Sequence, residues 1–166
     1  LTELIEEVGK DAARYFFVMR SIDSQLDFDM TLAIEKSSDN PVYYVQYAHA
    51  RICSIFRQLA ELNISADSTA DPAVLSLLTC ECELDLIKKM GGYEEIIAEA
   101  AADRAPHKIA HYVYELAGLF HTFYNQCRIV GVDPGLQQAR IALVSMVRTN
   151  IVHALGILGV TAPDKM

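Results

Sequence analysis

The chain has 166 residues, 52% of them hydrophobic, and a formal net charge of −8. That length suffices to bury one substantial core, and no run approaches the roughly eighteen apolar residues of a membrane span, so none is predicted. The acidic balance speaks against a broad basic field for nucleic acid. The charge is uneven, however: −4 over residues 1–38, zero over 39–64, −6 over 65–104 and +2 over 105–166. A ligand held by stacking and a few arginines therefore still has a neutral-to-basic face available in the middle and the last third.

Residues 1 to about 20 read as one helix, with Leu4, Ile5, Val8, Ala12, Tyr15, Phe16 and Met19 recurring on one side. Asp11 and Arg14 stand three apart on it, a spacing suited to a structural ion pair. Residues 21–27 are a turn-rich break, and 28–37 a short helix or an irregular crossing. Pro41, Pro72, Pro106 and Pro134 each suit the first turn of a helix, three of them directly after Asn40, Asp71 or Asp133 as cap. Helices are predicted over 41–63, 72–90, 93–104, 106–129 and 134–157, with glycines following several ends. No hairpin signal or strand alternation is present. The predicted fold class is an all-α helical bundle.

Helix 41–63 draws attention. Val45, Ala48, Ile52, Ile55, Phe56 and Leu59 form its apolar face, and Tyr44, Tyr47, Arg51 and Gln58 run along the edge. Tyrosines at such spacing, taken alone, read as the rim of a core. Beside an arginine they are also the platform on which splayed-out single-stranded bases stack.

Signs of catalysis are missing. His107 and His111 are one turn apart, but no glutamate is followed three residues later by histidine, so neither a di-iron bundle nor another metal site is expected. Gly9-Lys10 lacks the other residues of a phosphate loop. Cys80 and Cys82 fall within predicted helix 72–90, where residues two apart point in different directions. A local disulfide or zinc site is therefore not expected, and Cys53, Cys80, Cys82 and Cys127 all read as reduced thiols. Leu1 stands first with no leader behind it, which leads us to expect a fragment of a longer cytoplasmic protein.

Three blocks resemble one family. Tyr43 to Ile55 is similar to the helix that opens the anticodon-binding domain of arginyl-tRNA synthetases, which are class I enzymes. Gly9 to Phe17 resembles the segment after their catalytic domain, with Ala13 where leucine is usual in the Asp-Ala-Leu-Arg signature. Leu158 to Met166 resembles their C-terminus, with Asp164-Lys165 in place of the usual Glu-Arg. The blocks keep the family's order and span essentially the whole chain.

The resemblance implies a helical linker over residues 1–38 and a tRNA anticodon-binding domain over 39–166. It implies an anticodon site of Tyr44, Tyr47, Arg51, Arg57, Tyr124 and the terminal Met166, with no catalytic residue and no metal ligand. The tyrosines would offer stacking platforms, the arginines phosphate or base contacts, and the terminal carboxylate an acceptor for the central cytosine of arginine anticodons. The implied partners are arginine tRNA and the enzyme's own catalytic domain, with no DNA and no membrane, in a monomer. Both short class I signatures are missing from the chain, so ATP and magnesium belong to the parent arginine-tRNA ligase and this fragment is expected to be inactive. Two alternatives stand beside this reading: a helical protein-interaction module without an RNA role, and the corresponding domain of another class I synthetase, such as the cysteinyl or methionyl enzyme.

Overall fold

The computed structural model describes residues 1–25, 27–65 and 71–166. Leu26, in the predicted turn-rich break, lies outside them, as do residues 66–70. Helices are the only regular elements among the described residues: α1 (Thr2–Val8), α2 (Lys10–Val18), α3 (Met30–Ile34), α4 (Pro41–Glu61), α5 (Pro72–Leu75), α6 (Glu81–Gly91), α7 (Tyr93–Ala102), α8 (His107–Gln126) and α9 (Pro134–Leu158). The all-α bundle read from the sequence is the fold. Helix α8 is its axis, with α4, α6, α7 and α9 packed around it.

The caps explain where the helices start. Asn40 Oδ1 accepts from Tyr43 N at 3.3 Å, satisfying an orphan donor of α4, while its amide donates to the carbonyls of Ala33 and Glu35. One buried side chain thus begins α4 and ties the end of α3 to it. Asp71 and Asp133 cap α5 and α9 in the same manner, each before a proline. α9 is long and apolar enough to cross a membrane by composition alone. Its Ala139, Ile141, Val144, Val147, Ile151 and Leu155 are instead buried within the bundle.

Two predicted helices are each divided in two. Residues 1–20 break at Gly9, whose φ of 83° ends α1 and starts α2. A left-handed residue cannot continue a right-handed helix, and glycine reaches that φ without the Cβ clash. Residues 72–90 divide into α5 and α6, and Cys80 stands before α6 in extended backbone. Its N–H donates to Glu83 Oε2 at 2.9 Å. The expectation that Cys80 and Cys82 diverge along one helix is therefore corrected: their sulfurs lie 3.2 Å apart.

The predicted Asp11–Arg14 pair is also replaced. Asp11 accepts from Gln46 Nε2 at 2.9 Å and from both the backbone N–H and the hydroxyl of Thr161, while Arg14 Nη1 reaches Leu158 O at 3.5 Å. Both residues fasten α2 to the chain that leaves α9. Gly159 closes α9 at φ 69°, and a Cβ there would stand 2.5 Å from Arg14 Nη1. Tyr15 and Phe16 of α2 lie in the same core as α4, α8 and α9, and Tyr15 donates to Ala110 O at 2.9 Å.

A buried ion pair ties α6 to α9. Arg140 Nε is 2.7 Å from Glu83 Oε1, and Arg140 Nη1 donates to Arg128 O at 2.6 Å. The Glu83 side chain is 1% exposed, so its charge has no water to fall back on.

Candidate nucleic-acid interface

Helix α4 buries Val45, Ala48, Ile52, Ile55 and Leu59, and this sets the flanking edge of that face at the surface beside α8. Tyr47 and Tyr124, from α4 and α8, are 37% and 41% exposed. Between their rings lies the Arg51 guanidinium, 4.6 Å from the Tyr47 centroid and 4.5 Å from that of Tyr124. Arg51 Nη2 also donates to the Tyr47 hydroxyl at 2.7 Å. Because the guanidinium is planar and weakly hydrated, it packs against both ring faces without losing its charge.

Tyr47 is braced as well. Its ring lies nearly parallel to Tyr43 at 6.1 Å and stacks on His121 at 5.9 Å. Burial lowers the pKa of His121 from its ordinary 6.5, and the nearby charge of Arg51 adds to the effect, while a hydrogen bond to Tyr44 O opposes it. The neutral imidazole is thereby favoured against the tyrosines.

Arg51, Arg57, Tyr47, Tyr124, Lys165 and Met166 line a single groove of about 460 Å³. Five of the six residues inferred from the sequence therefore meet in one place. Tyr44 is the exception. It points to α8, where its ring lies 5.2 Å from Tyr114 and 4.7 Å from His121, and it borders a neighbouring hollow with Tyr43 and Lys36. Burial, with Tyr114 second, raises its pKa.

The C-terminal tail is held at several points. His49 Nδ1 donates to Pro163 O at 3.0 Å, Cys53 Sγ to Asp164 Oδ1 at 3.2 Å, and Arg57 Nη1 to Asp164 O at 3.1 Å. Arg148 Nη2 stands 3.9 Å from the same carboxylate. The Cys53 hydrogen bond chiefly holds Asp164 below the usual carboxylate range, and the arginine charges act in the same direction. Burial first, then that bond, pushes the Cys53 thiol up.

Sequence reasoning missed His49, Cys53 and Asp164 as the clasp of the tail, and His121 as the brace of Tyr47. The i, i+4 spacing of His49 and Cys53 was visible, but their partner lies more than a hundred residues away. Arg57, read as an RNA contact, spends a donor on this clasp.

A sequence model of the DALR anticodon binding domain matches residues 45–166. The chain belongs to that family. It is 53% identical over its whole length to an arginine–tRNA ligase of Desulforudis audaxviator and covers 30% of that protein. An arginine–tRNA ligase of Carboxydothermus hydrogenoformans is 52% identical, with the same coverage. Among solved structures, Thermus thermophilus arginyl-tRNA synthetase superposes with a TM-score of 0.79 at 29% identity, over 99% of this chain and 27% of that one. The chain thus spans about three tenths of the length of the curated relatives it matches. These relatives give no support to the reading as an interaction module without an RNA role.

Proposed function

We propose that this chain is the part of an arginine–tRNA ligase that grips the anticodon loop of arginine tRNA, with Tyr47, Arg51, Tyr124 and Met166 as the contact surface. The observation that carries the reading is the guanidinium of Arg51 clamped between two exposed tyrosines in a groove that the C-terminal residue also lines. Exposed tyrosine rings offer stacking surfaces to unstacked bases, and Arg51 has further N–H groups to offer a phosphate or base edge. The carboxylate of Met166 accepts from the cytosine amino group, where uracil presents an acceptor instead. Tyr44 serves as support for Tyr47 through His121, and Arg57 holds the tail while facing the groove.

On this reading residues 1–38 are the linker from the catalytic domain and 39–166 the anticodon-binding domain of a monomeric cytoplasmic enzyme. ATP and magnesium serve the catalytic domain. The sequence of this chain contains neither class I signature, so its own residues contribute binding and orientation of the tRNA and no covalent step.

Deleting Met166 tests the site. The tail clasp rests on Pro163 and Asp164, so melting temperature should hardly move, whereas the preference for the central anticodon cytosine should weaken. An unchanged preference with the fold intact would contradict the assignment of Met166.

A further inference from the structure

The RNA-binding reading leaves one cluster of reactive side chains without a role. Cys80 precedes α6, Cys82 lies in its first turn, and Cys127 follows α8 in extended backbone. Their sulfurs converge: Cys80 to Cys82 is 3.2 Å, Cys82 to Cys127 is 3.4 Å, and all three lie within 4.8 Å of one another. The break between α5 and α6 is what makes this possible, because Cys80 in a continuous helix would point away from Cys82.

We propose that Cys80, Cys82 and Cys127 bind a zinc(II) ion as a three-thiolate site. Thiolates at about 2.3 Å around one ion, at tetrahedral or trigonal angles, stand about 3.8–4.0 Å apart. The Cys80–Cys82 and Cys82–Cys127 separations of 3.2 and 3.4 Å need to open by only about half an ångström to reach that spacing. Sulfur-only coordination selects thiophilic ions over magnesium or calcium, and zinc accepts three protein ligands with an exogenous fourth.

The surroundings hold this end of the bundle in place. Arg140 donates to the carbonyl of Arg128, next to Cys127, with its charge balanced by Glu83. Glu83 on α6 is engaged through one oxygen with Arg140 and through the other with Cys80 N–H, so its carboxylate is already committed beside the thiols. Cys82 and Cys127 are buried, while Cys80 is half-exposed and opens the fourth position to water. An ion here would join the start of α6 to the end of α8, and its binding would release about one proton per thiol.

The test uses the 166-residue chain kept under nitrogen with a phosphine reductant, loaded with zinc chloride or cobalt(II) chloride and desalted. About one zinc per chain should be retained, the melting temperature should rise with zinc, and cobalt(II) should show thiolate charge-transfer absorption. Cys80→Ser should cut zinc affinity about tenfold or more while preserving the fold, since serine suits the position before a helix. Cys127→Ser should do likewise, with circular dichroism as the check on folding. Cys53→Ser should retain the metal, which separates this site from the thiol at the C-terminal clasp. The proposal is overturned if zinc is not retained, if it is retained equally by Cys80→Ser and Cys127→Ser, or if only Cys53→Ser loses it.

Discussion

The Arg51 guanidinium of α4 lies 4.5 Å from the ring centroid of Tyr124 on α8, so the two helices meet at the groove through a cation–π contact. Arg51→Lys tests whether the planar group matters beyond its charge. A lysine keeps the charge but loses the stacked fork, so binding of arginine tRNA should weaken by about 1–2 kcal/mol. Thermal unfolding should change little, because Arg51 is at the surface edge of α4. Full binding by the lysine variant would show that charge alone suffices.

Tyr47 and Tyr44 should separate in a paired experiment. Tyr47→Ala removes an exposed stacking platform and should cost about 1–3 kcal/mol of RNA binding. Tyr44→Ala removes a ring packed on Tyr114 and His121 and should cost about 1–3 kcal/mol of stability, read by denaturant unfolding. The two tyrosines look equivalent in sequence, since both lie along one edge of the helix. Only the position of α8 distinguishes them, and helical spacing carries no information about which neighbour covers which ring.

The same division runs through the fold. Helix starts at Asn40-Pro41, Asp71-Pro72 and Asp133-Pro134 were legible because cap and proline act within a few residues of chain. The break at Gly9 was not, because an isolated glycine is tolerated within a helical pattern and only its observed φ reveals the turn. The cysteine cluster was hidden for the related reason that the apolar pattern runs on across the break before α6. Tyr47, Arg51 and Tyr124 were legible by resemblance, while the Cys53–Asp164 contact joins residues too distant for any local pattern to register.

The Glu83–Arg140 pair predicts a large single-variant effect. Glu83→Gln leaves a guanidinium with 12% side-chain exposure facing an uncharged partner, and Arg140→Met strands a carboxylate that is 1% exposed. Each should destabilise the chain by about 3–5 kcal/mol in urea unfolding. The double variant should recover much of that loss, since neither charge is then left alone. Additive losses would mean that the pair does not act as a unit.

Stability should fall on mild acidification, partly through His121. Its pKa in the folded chain is lowered from 6.5, chiefly by burial, so the unfolded chain binds the proton more readily. The contribution of neutral His121 is therefore present above pH 6.5 and is lost as pH falls from there toward the lowered folded value. Urea unfolding of the wild type and His121→Gln at pH 7.5 and at pH 5.5 reads this directly, and the variant should lose less stability between them. Parallel losses would remove His121 from the account.

The most direct measurement of the central claim is filter binding of the chain to two arginine tRNA transcripts that differ only at the middle anticodon base. The groove formed by Tyr47, Arg51, Tyr124 and Met166 should hold the cytosine form more tightly than the uracil form by about 1–3 kcal/mol. Equal affinity for the two transcripts would contradict it.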